Sequence, residues 1–314
     1  MREYKKFIKY GIVVLLTLVL IENSEAGNRS GTTSVAFLKI PTSARAIAIG
    51  GAQVAVAEGV SSIAFNPAGM MAVNDYGVGF TYTAWFADIQ HSFVGVVKNL
   101  PGIGAVGVSV TMLTTDDMVE RTPLHPDGTG RYFRASDYAF SIAYARQVTD
   151  QFRVGVNGKY IQSYLFNSQI GASSIAFDIG TLYDIAMLRS HIGVSLTNLG
   201  KDVKFLEEQF SIPTALRFGV LVDILKEADH QLVSTLQISR LNDAAEQYNW
   251  GVEYVFNEMF ALRGGYKFAY DQEDFAGGFG AKLSALGLNG TFDYGYNNFK
   301  YLPGTHSFTF ELQF

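Results

Sequence analysis

The feature that most constrains this chain is an alternation of apolar with small or polar residues, which recurs about fourteen times between Tyr76 and the C-terminus. In the first run, the two alternating sets are Tyr76, Val78, Phe80, Tyr82 and Ala84, and Gly77, Gly79, Thr81 and Thr83. Each run is roughly ten residues long, the length of a tilted strand that crosses a bilayer. The number and regularity of the runs predict an all-β fold, a transmembrane antiparallel β-barrel of about 14 strands. The alternative is a soluble two-sheet sandwich or a propeller.

Composition favours the barrel. The 314 residues include 32 Gly, 17 Tyr and 24 Phe, and only 17% of them are charged. Soluble domains are about a quarter charged. Few charges with many aromatic residues and glycines fit a wall that faces lipid on the outside and small or polar groups inside. The net charge of −5 argues against a nucleic-acid partner.

The N-terminus carries an export signal. Basic residues precede the apolar run 12–21, and Ser24-Glu25-Ala26 then offers a cleavage site before Gly27. The run is too short to span a bilayer as a helix. The chain has no cysteine and therefore no lipid anchor or disulfide framework. We expect residues 1–26 to be a cleaved signal peptide and the mature protein to lie in the outer membrane of a Gram-negative-type bacterium.

The C-terminus ends on an aromatic residue within an alternating strand. His306, Phe308, Phe310, Leu312 and Phe314 form its apolar side. This ending is similar to the closing strand of bacterial outer-membrane barrels, whose terminal aromatic is recognised by the barrel assembly machinery. We therefore predict Phe314 to be a C-terminal assembly signal.

Loop lengths indicate which way the barrel faces. Longer polar links, at 114–134, 164–172, 200–213 and 297–304, alternate with short turns. Outer-membrane barrels have short periplasmic turns and longer external loops. The pattern predicts both termini on the periplasmic side, with residues 75–314 forming the barrel. Residues 27–74 have no sustained period of two and few charges, which predicts a hatch or plug that enters the lumen from the periplasmic end.

Seven short motifs are spread along the mature chain. They are Ser30-Gly31-Thr32-Thr33, Phe37-Leu38-Lys39-Ile40, Ser43-Ala44-Arg45-Ala46, Gly50-Gly51-Ala52, Phe65-Asn66-Pro67-Ala68-Gly69-Met70, Ala84-Trp85-Phe86-Ala87-Asp88-Ile89 and Ala135-Ser136-Asp137-Tyr138. Together they resemble the PorV/PorQ family of FadL-like outer-membrane barrels. The resemblance implies a fourteen-stranded barrel with an N-terminal hatch. It also implies a role in type IX secretion.

The resemblance further implies site residues in the hatch. In FadL-like barrels the Asn-Pro-Ala segment lies near a lateral opening in the wall, which here corresponds to Asn66, Pro67, Ala68 and Gly69. The alternative is a tight turn that only starts the barrel. Within the plug we single out Arg45, Gly50 and Gly51. Arg45 either pairs with luminal acids, for which the candidates are Asp178, Glu253 and Asp293, or reaches periplasmic water.

Two function classes follow. One is a secretion-associated barrel that binds cargo or type IX secretion components. The other is a FadL-like channel for a hydrophobic small molecule. The loop 114–134 mixes charges with proline and glycine, which favours a protein-contacting loop; its charged residues are Asp116, Asp117, Glu120, Arg121, Arg131 and Arg134. The chain shows no catalytic motif, and we expect neither an enzyme nor a cofactor or metal.

Overall fold

The computed structural model describes residues 31–166 and 170–314, apart from the side chains of Leu188, Ala285 and Leu286. The predicted signal peptide lies outside the described residues. Fourteen antiparallel strands form a closed barrel in which each strand pairs with its neighbours in the chain and the first pairs with the last. The predicted barrel of about 14 strands is therefore confirmed.

The wall strands are long and regular. They are β1 (Tyr76–Ala84), β2 (Gln90–Leu100), β3 (Gly104–Thr114), β6 (Ser136–Thr149), β7 (Phe152–Leu165), β8 (Ile170–Ile185), β9 (Ser190–Gly200), β12 (Ala215–Lys226), β13 (His230–Leu241), β14 (Gln247–Phe256), β15 (Phe260–Phe268), β16 (Glu273–Lys282), β17 (Gly290–Phe299) and β18 (Thr305–Gln313). Two small hairpins lie outside the wall: β4 (Met118–Val119) with β5 (Tyr132–Phe133), and β10 (Val203–Phe205) with β11 (Glu208–Phe210).

The barrel has two distinct ends. One, here called the loop end, carries both hairpins in the loops 115–135 and 201–214. The other, the terminal end, holds the start of β1, the chain's C-terminus and short turns such as 150–151 and 227–229. This arrangement agrees with the segregation of long and short loops in the sequence.

The two faces of the wall differ as the alternation predicts. On β6, Phe140 and Ile142 point outward and are 45% and 70% exposed, whereas Ser141 and Ala143 point inward and are buried. Outward apolar side chains at mid-strand are typical of a lipid-facing surface.

The segment 31–75 fills much of the space inside the barrel with short helical turns. They are α1 (Ala44–Ala48) and the 3-10 turns Ala36–Lys39, Val60–Ala64, Pro67–Ala72. No helix within the described residues is both long and apolar enough to cross a membrane. The side chains of Val60, Ile63, Met70 and Val73 pack with inward-facing wall residues in one buried cluster.

The path of this segment differs from the expected one. Its first residues lie at the loop end, where Ser34 N donates to Ser211 O at 2.9 Å and Lys39 forms a 2.7 Å salt bridge with Asp243. From there the chain runs through the lumen to the terminal end, where β1 begins. The sequence could not reveal this direction, because contacts with remote loops determine it.

Wall glycines provide much of the surface against which the segment packs. A Cβ atom on Gly155 would come within 2.5 Å of Ala68 N, and one on Gly251 or Gly295 would come within 2.5 Å of a carbonyl oxygen of the segment. On β15, a Cβ on Gly265 would collide with the backbone at Gly50. The backbone of the segment therefore approaches the wall as closely as glycine allows.

The segment also joins the first strand to the last. Thr81 Oγ1 on β1 donates to Thr42 O at 2.9 Å. On β18, Thr309 Oγ1 accepts from Ala44 N at 2.8 Å. Glu311 accepts from Val60 N at 3.0 Å. Residues on both sides of the β1–β18 seam thus hold the same segment.

Candidate functional site

Asn66 is fully buried at the start of the Pro67–Ala72 turn. Its Nδ2 donates to Val54 O at 2.9 Å and to Thr181 O on β8 at 3.1 Å. Its Oδ1 caps the turn by accepting from Ala68 N at 3.4 Å. Pro67 suits the first position of the turn because that position needs no amide proton. Asn66 therefore connects the hatch motif to Val54, earlier in the segment 31–75, and to β8 of the wall.

The wall beside this motif is closed but irregular. The pairing of β8 with β9 shifts between Phe177 and Ile179, where Asp178 is buried. Asp178 forms a 2.8 Å salt bridge with Lys159 and accepts from Asn198 N at 2.7 Å. A β-bulge and a buried ion pair thus lie close to the predicted hatch motif. The proposed lateral opening at Asn66, Pro67, Ala68 and Gly69 stays a prediction.

Arg45 on α1 points toward β14. It forms salt bridges with Glu253 at 2.8 Å and with Glu58 at 3.0 Å. Burial alone would lower the pKa of Arg45, but the two carboxylates outweigh it and raise the pKa above its ordinary value, so the guanidinium remains charged. Of the three acids named as candidates, Glu253 is the partner.

The other two candidate acids have different partners. Asp293 forms a 2.5 Å salt bridge with Arg263, which also contacts Glu253, and Asp178 pairs with Lys159. Arg45, Glu253, Arg263 and Asp293 therefore form one continuous network between α1 and the wall. Because each charge has a partner, the network can be buried without leaving an isolated ion.

Gly50 and Gly51 follow α1 and make the chain turn tightly. Both have positive φ, 67° and 79°, which glycine adopts without strain. Gly50 O accepts from the side chain of Asn249 at 2.7 Å. These two glycines are therefore in contact with β14 and β15.

A cavity of about 640 Å³ opens beside the charged network toward the terminal end. It lies between the segment and the strands β13–β18. Its lining includes Arg45, Glu253, Arg263, Asp293 and Glu311. The cavity wall is thus charged and polar in its deep part.

On the side of β6, β7 and β8, the lumen near the loop end is apolar and is occupied by the chain itself. Val35 and Phe37 are 7% and 3% exposed and pack with Ile161 and Ile212 in a buried cluster. A cavity beside this cluster has a volume of only about 20 Å³. That volume is about one water molecule.

The charged loop residues pair mainly with one another. Arg134 forms a 3.0 Å salt bridge with Asp117, and Arg131 forms one with Glu120 at 3.0 Å. These pairs cross the β4–β5 hairpin and hold it together. Leu124, between the two hairpin strands in the loop 115–135, is 87% exposed. Asp116 and Arg121 lie in the same loop.

The terminal aromatic residue takes part in closing the barrel. Phe314 N donates to Tyr76 O at 2.9 Å, and Tyr76 N donates to Phe314 O at 3.2 Å. The Phe314 side chain is 69% exposed. Its role as an assembly signal stays a prediction.

Sequence reasoning missed several residues of this region. Glu58, Arg263 and Glu311 were not singled out, although all three line the cavity. Glycines at alternate strand positions are the sequence signal that another backbone approaches the wall closely, although the same pattern also fits small luminal groups.

Solved structures of a hydrocarbon channel and of toluene transporters are similar to this barrel. The chain is similar to the monoaromatic hydrocarbon channel CymD, with a TM-score of 0.61 at 12% identity over 87% of this chain and 97% of that one. It is similar to the toluene transporter TbuX of Ralstonia pickettii, with a TM-score of 0.62 at 15% identity over 87% and 98%. For the toluene transporter TodX of Pseudomonas putida, the TM-score is 0.58 at 10% identity over 87% and 97%. At these identities the likeness concerns the fold.

No curated protein sequence matches the chain. Residues 23–247 match the model of one protein family, described as type IX secretion system protein PorV. The match covers more than half of the chain and agrees with the resemblance in the sequence motifs. The fold and the family locate the protein in the outer membrane. The chain belongs to the family of the type IX secretion system protein PorV.

Proposed function

We propose that this protein is a secretion-associated outer-membrane barrel that binds cargo or other type IX secretion components at its loop end. The observation that carries the proposal is the occupied lumen. A conduit for hydrophobic molecules needs an apolar pocket beneath its external mouth. Here Val35 and Phe37 fill the apolar space at that position.

The partner surface in this proposal is formed by the tips of the two hairpins. Leu124 is 87% exposed in one loop, and Leu206 is 75% exposed in the other. Tyr132, on β5, is 59% exposed. Tyrosine and arginine are among the residue types that supply most of the energy of protein contacts, and burial of the exposed leucines would add apolar area. The paired charges contribute rigidity to the first loop, whereas Leu124 and Arg121 are the residues we expect a partner to contact.

The test compares two exposed apolar residues at opposite ends. Leu124 and Met187 are 87% and 88% exposed, at the loop end and the terminal end. Leu124→Ser should reduce co-purification of type IX secretion components from the outer membrane, and replacing 114–134 by a short Gly/Ser turn should abolish it. Met187→Ser should leave it unchanged. Retention of the same partners by the loop replacement would refute the proposal.

A second candidate function is a channel for hydrophobic small molecules. The observation that favours it is the apolar character of the cluster around Phe37, which would accept such a molecule if Phe37 moved away. Phe37→Ala should then increase uptake of a hydrophobic fluorescent probe by intact cells. Two results together would favour the channel role over the secretion role. They are increased probe uptake by Phe37→Ala and normal partner binding by the variant in which 114–134 is replaced.

A further inference from the structure

The small cavity beside the Phe37 cluster differs from the rest of the lumen in the charges that surround it. Its volume is about 20 Å³. Its lining includes Lys39 of the segment 31–75, Lys159 of β7 and Arg217 of β12, and no described aspartate or glutamate lines it. Three positive charges from remote parts of the sequence therefore surround a space that holds about one water molecule.

The two lysines have acidic partners that lie outside the cavity lining. Lys39 forms a 2.7 Å salt bridge with Asp243, and Lys159 forms one with Asp178 at 2.8 Å. The side chains of these two acids are only 1% and 0% exposed. The charges of the lysines are therefore balanced by carboxylates of the protein.

Arg217 has no such partner. It is half-buried on the inward face of β12, and its Nη1 donates to Thr197 Oγ1 at 2.8 Å. It forms no salt bridge with any aspartate or glutamate in the described part of the chain. The other two luminal arginines, Arg45 and Arg263, both contact Glu253. Because charges inside a protein are normally paired, the guanidinium of Arg217 favours an anion from solution.

We propose that this cavity binds one monatomic anion, which is chloride in a chloride-containing medium. The ion accepts hydrogen bonds from Arg217, and the charges of Lys39 and Lys159 add to its attraction. A space of this size accommodates a halide but not acetate, phosphate or sulfate. The lining also contains apolar side chains such as Phe37 and Ala139, and a low dielectric constant strengthens the attraction between ion and guanidinium.

A bound ion has a structural consequence. Lys39 belongs to the segment inside the barrel, whereas Lys159 and Arg217 belong to the wall. An anion between them reduces the repulsion that arises when the segment packs against the wall. Because the complete cavity exists only in the folded protein, chloride should raise the thermal stability of the barrel.

The test is a titration of the detergent-solubilised full-length barrel with sodium chloride, with gluconate keeping the ionic strength constant. The line width of the chloride NMR signal reports binding. We expect an excess line width that saturates as the site fills. Bromide should remove this excess by displacing chloride, whereas sulfate at the same ionic strength should not, because it is too large for the cavity.

Variants distinguish this site from general attraction of chloride to basic side chains. Arg217→Gln removes the unpaired charge and should weaken chloride binding by about tenfold or more. Ala139→Val leaves every charge in place but fills part of the cavity, and it should also weaken binding. Arg240→Gln is the matched control, because the Arg240 side chain is 72% exposed, and it should have no effect. Heat-modifiable migration on gels verifies that each variant is folded.

Thermal unfolding provides a second measurement. Replacing gluconate by chloride should raise the unfolding temperature of wild type and of Arg240→Gln, and it should leave that of Arg217→Gln unchanged. An equal rise in all three proteins would overturn the proposal, since the ion would then act without Arg217.

Three NMR results would also overturn it. The first is the absence of a saturable chloride signal in wild type. The second is equal affinity in wild type, Arg217→Gln and Ala139→Val, since chloride would then bind elsewhere. The third is displacement of chloride by sulfate as readily as by bromide, which would indicate an open basic surface in place of a closed cavity. The proposed role at the loop end is tested separately, because partner binding is measured with residues of the external loops.

Discussion

Gly264 and Gly265 are neighbours on β15 but face opposite surroundings. A Cβ atom on Gly264 would meet no atom within 4 Å, whereas a Cβ on Gly265 would collide with the backbone at Gly50. The same contrast holds along the wall. The outer face requires apolar character and tolerates changes of shape, because lipid chains adapt to it. The inner face requires a fixed shape and paired charges, because it packs against folded protein.

The largest effect should come from breaking the inner charge network. Glu253→Gln leaves Arg45 and Arg263 facing each other across α1 and the wall, and we expect a loss of about 3–5 kcal/mol in the free energy of unfolding. Urea-induced unfolding in lipid vesicles measures it. The control is Glu246→Gln, because Glu246 lies in an exposed pair with Arg240 at 3.9 Å. Equal losses in both variants would contradict the importance of the inner network.

A charge on the outer face should have the next largest effect. Ile142 lies in the middle of β6 and is 70% exposed to lipid. Ile142→Arg should cost about 2–4 kcal/mol. Thr291→Arg places the same residue in the cavity, where Thr291 lies opposite Glu311, and should be tolerated. The measurement is the yield of heat-modifiable protein in the membrane fraction. A lower yield for Thr291→Arg than for Ile142→Arg would contradict the prediction.

A smaller effect should follow from adding one methyl group to the inner face. Gly265→Ala should cost about 1–3 kcal/mol through overpacking against Gly50. Gly264→Ala should be neutral or slightly stabilising, because alanine gives the unfolded chain less conformational entropy than glycine does. Limited proteolysis reports whether the segment 31–75 loosens in Gly265→Ala. Identical digestion of both variants would show that the close approach is dispensable.

The smallest effect concerns a salt bridge in a loop, which belongs to neither the outer nor the inner face of the wall. Asp117 and Arg134 are 60% and 49% exposed in the side chain and lie 3.0 Å apart in the loop 115–135. A double-mutant cycle with alanine at both positions should give a coupling free energy below about 1 kcal/mol. A coupling comparable to the Glu253→Gln effect would mean that the loop is part of the barrel's stabilising core.

The outer face could be predicted from sequence because it depends on local alternation alone. Phe140 and Ile142 follow the period of two and point to lipid, as expected. The strand number followed from the same rule. Loop lengths similarly predicted which end carries the hairpins.

The inner face could not be predicted to the same extent. The partner of Arg45 is Glu253, 208 residues away in the chain, and no local pattern selects it from Asp178 or Asp293. The direction of the segment depends on contacts such as Lys39 with Asp243, which are equally remote. The role of Gly265 required knowledge of the backbone opposite it. In each case a tertiary contact between distant segments decides the structure.

The bonds that join Thr42, Ala44 and Val60 to the β1–β18 seam have a consequence for the order of assembly. Thr309 and Glu311 point inward only in the native register, and a slip of one residue would turn both toward lipid. The segment can therefore complete its contacts only after the last strand has met the first in the correct register. Docking of the segment 31–75 therefore selects the correct register, because a barrel closed in another register lacks the bonds that hold this segment in the lumen.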